Sequence, residues 1–325
     1  MYMSSAGTAP AGNHLCQRGP APGRVAGAAI VSKRAGPPPD QAPLPITSLR
    51  GVRLIALDLD GTILGPGKEI APSGREALQR LSAAGVVVAL ASGRMLRSTA
   101  LVQERLGLAG PLIAYNGGML QLPDGRLWED PVPLPAARAV SALCRARGYF
   151  LQCYYGDELC VPHDDPRAHA YSDLAGVPFC VDPQRVWHPS QPPTKQLIIE
   201  PAERQPEVRE AVVAVAAGRL EVAHSYPHYL EISGAGVNKG VALGRLVEAL
   251  GLARAAVMAV GDGENDLTMV RYAGIGAAVG NAVPALKAVA AVCADAHFGD
   301  GVAELVRGVL EGQATAGDEG GASAG

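Results

Sequence analysis

Short apolar runs that each end abruptly in a polar motif restrict this chain more than any other feature. Residues 52–57 (VRLIAL) lead into Asp58-Leu-Asp60-Gly-Thr62, and residues 86–91 (VVVALA) into Ser92-Gly93-Arg94. Residues 111–115 end at Asn116-Gly-Gly, and residues 257–260 at Gly261-Asp262-Gly-Glu-Asn265-Asp266. Residues 275–279 form one more run. Helical segments separate them. Ser73 is placed to cap the first, with Glu76 as its capping-box partner and Gly85 as its stop. The second ends near Leu106, a third opens at Asn238-Lys239-Gly and ends near Leu250, and a fourth follows Asp266. Strands apolar on both faces, alternating with helices, make a parallel sheet covered on both sides. The expected class is α/β, with a Rossmann-like parallel-sheet core.

The middle of the chain reads differently. Most of its aromatic and histidine residues lie between 128 and 229. Patterning predicts helices over 135–147 and 206–217, with strands over 149–155, 159–161, 196–200, 220–224 and 229–232. Alternation is clearer here, as in Tyr229-Leu-Glu-Ile232, which predicts a sheet with one open face. The expected organisation is a core of 49–118 and 233–311, interrupted by an α/β insertion over 119–232.

Residues 1–48 are rich in Pro, Gly and Ala and hold one acid, Asp40. They read as a disordered leader. Arg18 and Arg24 before 25–31 resemble a signal peptide, but the run is late, glycine-broken and followed by Lys33-Arg34. The leader is also acid-poor, as organelle transit peptides are. Residues 312–325 read as a disordered tail. With 28 Lys+Arg against 31 Asp+Glu, the chain lacks the basic excess of a nucleic-acid binder. Its longest apolar stretch, 211–217, is far below the roughly 18–20 residues of a membrane helix. The six cysteines, at 16, 144, 153, 160, 180 and 293, form no CxxC pair. They read as reduced, buried thiols of a cytoplasmic protein. Oligomeric state is not readable.

In an open parallel sheet, ligands bind at the carboxyl ends of the strands. The motifs that follow the apolar runs should therefore meet at one edge. Asp58 and Asp60 are two apart, so an extended segment presents both on one side. Asp262 and Asp266 bring two more acids. Two bare carboxylates about 4 Å apart repel by about 4 kcal/mol at an effective dielectric of about 20, so the cluster needs a cation or a proton. Oxygen donors with no nearby His or Cys favour Mg2+ over zinc. Ser92, the N–H groups after it and a helix start make an anion cradle, and Lys239 adds a positive charge. His163, His188, His224 and His228 lack ligand spacing and read as structural or exposed. Tyr154, Tyr155 and Trp187 read mainly as core.

Five segments together resemble the haloacid dehalogenase (HAD) superfamily: Asp58-Leu-Asp-Gly-Thr-Ile-Leu64, Ala91-Ser-Gly-Arg94, Tyr115-Asn-Gly-Gly118, Val237-Asn-Lys-Gly240 and Gly261-Asp-Gly-Glu-Asn-Asp266. More narrowly, the chain resembles its Cof-type phosphatases, subclass IIB, which carry an inserted α/β cap. The likeness spans about residues 50–311. The leader departs from it, since members start a few residues before the first Asp. The resemblance implies a Mg2+-dependent phosphatase of small phosphorylated metabolites, sugar phosphates or phosphorylated cofactors, working through an aspartyl phosphate. Asp58 would be nucleophile and metal ligand. Asp60 would be general acid and base, its carbonyl also touching the metal. Ser92, Gly93, Lys239 and Asn265 would bind phosphate. Asp262 would complete the metal site, with Asp266 as ligand or support. Arg94 would hold phosphate or brace the loop, and Asn116 would shape the strand end.

Other readings fit less well. Asp58, Asp60, Thr62 and Glu69 sit at calcium-loop positions 1, 3, 5 and 12, but Ile63 stands where that loop needs Gly. A receiver-like phospho-Asp signalling protein lacks both the insertion and the DxDGT pattern. A transport ATPase would need membrane spans. A phosphomutase with the same cap differs only in cap residues.

Overall fold

The computed structural model describes residues 49–320 apart from residue 217. The expected leader, 1–48, lies outside the described residues, as do 321–325. The chain begins with β1 (Leu54–Leu57), α1 (Pro72–Ala83), β2 (Val87–Ala91), α2 (Leu96–Leu106), β3 (Leu112–Ala114), β4 (Met119–Gln121) and β5 (Leu127–Glu129). Next come α3 (Leu134–Arg147), β6 (Phe150–Tyr155), β7 (Glu158–Val161), α4 (Pro166–Ala175), β8 (Phe179–Val181), α5 (Pro183–Trp187) and β9 (Lys195–Ile199). Then follow α6 (Gln205–Ala216), β10 (Leu220–Tyr226) and β11 (Tyr229–Gly234). The last part holds α7 (Lys239–Ala249), β12 (Val257–Gly261), α8 (Leu267–Tyr272), β13 (Ile275–Ala278), α9 (Pro284–Lys287), β14 (Val292–Cys293) and α10 (Phe298–Gly320).

An eight-stranded sheet has the order β14-β13-β12-β1-β2-β3-β4-β5. It is parallel from β14 to β3; β4 pairs antiparallel with β3, and β5 antiparallel with β4. Period-two alternation sends Ile55, Leu57, Val88 and Leu90 to one face, under α1, α2 and α10. Leu54, Ala56, Ala89 and Ala91 take the other, under α7 and α8. β1 pairs with β2 on one side and β12 on the other, so the connections diverge from β1. That divergence opens the crevice in which α/β sheets bind ligands.

A six-stranded sheet, order β10-β11-β9-β6-β7-β8, comes from the middle of the chain. Helices α3 and α6 cover one face through Val140, Cys144, Val208 and Val212. The other face was expected to be open. It is instead largely covered, because Tyr154, Leu197 and Tyr229 pack with Tyr171 of α4 and with Met95, Tyr115 and Met119 of the first sheet's elements. Pairing to other segments, invisible in local alternation, closes that face. The chain is thus α/β, a parallel-sheet core with a second α/β layer inserted.

Several local expectations need correction. The boundary at 119 falls inside the first sheet, since β4 hydrogen-bonds onto β3 and β5 onto β4. The first helix is not capped by Ser73: its N-cap is Ala71, Pro72 takes the first turn, and the Ser73 hydroxyl donates to Asp300. Proline's fixed φ sets the start two residues early. The tail does not lose structure at 312, because α10 continues to Gly320. A Cβ on Gly312 would come within 2.5 Å of the Leu49 carbonyl oxygen, and Gln313 Nε2 donates to Val52 O at 3.1 Å. These two contacts hold the helix against the start of the core. The thiols at 144, 153, 160, 180 and 293 are free, but Cys180 is exposed and Cys293 half-buried, both on short strands. Cys16 lies outside the described residues. Among the described residues no helix is long and apolar enough to cross a membrane.

Candidate active site

The acids meet at the carboxyl edge of β1 and β12. Leu57 pairs with Val260, and Asp58 N donates to Val260 O at 3.0 Å, so the residues after both strands emerge together. Carboxylate oxygens of Asp58, Asp262 and Asp266 lie within 4.8 Å of one another. Gly61 makes this approach possible. Its φ is +88°, and a Cβ there would stand 2.2 Å from Asp262 Oδ2.

Lys239 reaches the cluster from α7. Asn238 caps that helix by accepting from Val241 N at 3.0 Å. The turn after β3 packs on this start: Gly117 has φ +104°, and a Cβ on it would lie 2.3 Å from Asn238 O. A Cβ on Gly240 would lie 2.5 Å from the carbonyl oxygen of Thr268 in α8. The Lys239 ammonium is fully buried, 2.5 Å from Asp58 Oδ1 and 2.6 Å from Asp266 Oδ1. Burial works against its charge, but Asp266 and Asp58 outweigh it and hold the group above the usual lysine range.

The carboxylates differ in how they are held. Burial, then the neighbouring Asp266 and Asp262, raise Asp58 well above the usual carboxylate range despite Lys239. Burial also raises Asp262, opposed by the Thr62 hydroxyl, which donates to its Oδ1 at 2.8 Å. Asp266 Oδ2 accepts from the backbone N–H groups of Asp262 and Gly263, each at 3.0 Å. Both Asp266 oxygens are therefore engaged, one by Lys239 and one by the loop that carries Asp262. When ionised, three carboxylates against one ammonium leave a formal surplus of two negative charges. An all-oxygen donor set with that surplus fits a hard divalent cation.

Asp60 stands apart from this cluster. Its carboxylate receives two hydrogen bonds from Arg94, one from Nε at 2.7 Å and one from Nη2, and its side chain is 49% exposed. Ser92 follows β2, is buried, and accepts from Arg94 N at 3.2 Å. Asn116 lies over Gly93, where a Cβ would come within 3.0 Å of its amide. Asn265 Nδ2 donates to Asn116 Oδ1 at 3.2 Å, and Asn116 Nδ2 to Glu231 Oε2 at 3.3 Å. Tyr115 and Asn116 both have left-handed backbones, φ +53° and +54°, which turns the chain sharply from β3 and aims Asn116 at this edge. Asp58, Asp262, Asp266 and Lys239 thus form one cluster; Arg94 ties Ser92 to Asp60, and Asn116 ties Gly93 to Asn265. His163, His188, His224 and His228 contribute nothing to the acid cluster.

Three residues escaped the sequence reading. Thr62 stands inside the first motif, and only the tertiary contact shows it holding Asp262. Glu231 and Lys195 come from the second sheet. Their signal was an acid alternating with apolar residues in 229–232, and a lone lysine opening the apolar run 195–199.

Residues 55–306 match the family described as haloacid dehalogenase-like hydrolase. An HMP-PP phosphatase of Cronobacter sakazakii is 32% identical over 73% of this chain and 87% of its own length. A 5-amino-6-(5-phospho-D-ribitylamino)uracil phosphatase of Bacillus subtilis is 28% identical over 78% of this chain and 96% of its own. The crystal structure of a haloacid dehalogenase-like hydrolase from Bacteroides thetaiotaomicron superposes with a TM-score of 0.73 at 30% identity, covering 79% of this chain and 98% of that one. The chain belongs to the haloacid dehalogenase-like hydrolases. Within them it is a Cof-type phosphatase, an enzyme of the phosphoric monoester hydrolase class.

Proposed function

We propose that this protein is a Mg2+-dependent phosphatase of small phosphorylated metabolites that works through a phosphorylated Asp58. One observation carries the reading: Asp58, Asp262, Asp266 and the Lys239 ammonium, from three distant stretches of chain, share one buried pocket of charge.

An Asp58 carboxylate oxygen attacks phosphorus, forming an acyl phosphate as the bond to the leaving oxygen breaks. Asp60 gives that oxygen a proton. Water then attacks the acyl phosphate, Asp60 takes its proton, and phosphate leaves with Asp58 restored. Asp60 must exchange Arg94 for the substrate to do this. The Asp60 side chain is 49% exposed, which leaves it room to turn from Arg94 toward the substrate. Ser92, the Gly93 N–H, Lys239 and Asn265 bind the transferring phosphoryl oxygens. Asp58, the Asp60 carbonyl and Asp262 would hold Mg2+, whose positive charge would offset the negative charge on the transferring phosphoryl oxygens. Asp266, with both oxygens engaged, acts by positioning Lys239 and the Asp262 loop. The free thiols fit a cytoplasmic setting.

The test is phosphate release from p-nitrophenyl phosphate. Hydrolysis should require Mg2+, stop with EDTA, and fall at least a thousandfold in Asp58→Ala. Turnover that survives this substitution refutes the assignment.

A further inference from the structure

Lys195 and Glu231 form a charged pair that the stability of the second sheet does not call for. Lys195 lies fully buried on β9, and its ammonium sits over the rings of Tyr154 at 4.9 Å and Tyr115 at 5.6 Å. Its partner is Glu231 Oε1 on the adjacent strand β11, at 3.3 Å. Around them Tyr154, Tyr171 and Tyr229 make a continuous apolar cluster. A buried ion pair in such surroundings is weak evidence for stability, because desolvation offsets its attraction. Departures from apolar packing of this kind concentrate at functional sites.

The pair also points at the reaction centre. Glu231 accepts from Asn116, which lies over Gly93 and accepts in turn from Asn265. Glu231 is thus one hydrogen bond from the residue above the proposed phosphate loop and two from Asn265. Both of its contacts are long, 3.3 Å each, and its side chain keeps 16% exposure. A carboxylate offers about four lone-pair sites, so it retains acceptor capacity for a ligand. Lys195 holds the Glu231 carboxylate in place from the adjacent strand.

On the phosphatase reading above, we infer that Glu231, held by Lys195, selects the leaving group. It accepts hydrogen bonds from hydroxyl or ammonium donors on the alcohol portion of a phosphomonoester. It repels esters that carry a carboxylate at the same place. The favoured substrates are therefore phosphorylated polyols, sugars or amines, not phosphorylated hydroxy acids.

The experiment measures Mg2+-dependent phosphate release by the full chain from sorbitol 6-phosphate and from 2-phosphoglycolate. The wild-type kcat/KM should favour the polyol phosphate at least tenfold, and the reverse order overturns the proposal without any variant. Glu231→Gln should lower kcat/KM for sorbitol 6-phosphate at least tenfold, mostly through KM, and raise it for 2-phosphoglycolate. Glu231→Asp, which keeps the charge, should keep the wild-type order. A parallel fall on both substrates in Glu231→Gln overturns the proposal, since Glu231 then only props Asn116. Wild-type protein that hydrolyses neither these nor p-nitrophenyl phosphate refutes the phosphatase reading itself, and this inference with it.

Discussion

Replacing Lys239 by Met probes the centre of the site directly, because the two side chains are similar in length and only the charge is removed. The Lys239 ammonium is wholly buried between Asp58 at 2.5 Å and Asp266 at 2.6 Å. At an effective dielectric of about 20, each contact is worth about 6 kcal/mol of attraction before desolvation. Much of that offsets the burial of the charges, and removing one partner of a buried pair costs about 3–5 kcal/mol net. At about 2–4 °C per kcal/mol for a protein of this size, Lys239→Met should melt about 10 °C below wild type in EDTA at pH 8. The deficit should also depend on pH. Lys239 has a raised pKa, so its contribution is fully present below the ordinary lysine value and is lost only above the raised one. Wild type therefore gains and loses nothing from it between pH 5 and pH 8. In the variant, Asp58 and Asp266 face each other without the ammonium. Acids whose folded pKa is raised contribute stability at low pH and lose it as pH rises. The deficit should shrink at pH 5, where a proton replaces the missing charge. Thermal denaturation followed by circular dichroism at both pH values measures it. A loss below about 1 kcal/mol, or one equal at pH 5 and pH 8, refutes the argument that Lys239 neutralises this cluster.

Two further outcomes follow from the same geometry. Gly61→Ala should lower p-nitrophenyl phosphate turnover at least a hundredfold, because its Cβ would stand 2.2 Å from Asp262 Oδ2; Gly125→Ala, at nearly the same φ (+87°) but in open space, should leave turnover intact, and equal losses at both sites would show that backbone strain alone was at work. Burial raises Asp58 and Asp262, so metal binding must displace protons from them. Added Mg2+ should therefore raise the melting temperature more at pH 8 than at pH 5.5 and release protons into weakly buffered solution, and a pH-independent shift would contradict that coupling.

The motifs that follow β1, β2 and β12 were legible because a buried parallel strand needs apolar residues throughout, and the first polar residues after it must lie at the sheet's edge. Asp58, Ser92 and Asp262 could be placed at one edge from that rule alone. The helix opening at Asn238 was equally legible, since a side-chain cap is a local event. The hairpin of β4 and β5 was not, because each strand is only three residues long and is held by pairing, β4 to β3 and β5 to β4. The continuation of α10 past Gly312 was hidden for the same reason: its anchor is the backbone of Leu49 and Val52, at the other end of the described chain.

By itself the sequence determined a parallel α/β sheet and which acids gather at its edge, because strand periodicity and the polarity of strand ends act over a few residues. Only the tertiary structure decided that Lys239 is a buried counter-charge and not a solvated one, that Arg94 holds Asp60, and that Glu231 reaches Asn116 from the second sheet. Each of these is a contact between elements distant in sequence. Its strength depends on burial and on separations of a few ångströms, and neither is encoded in local pattern.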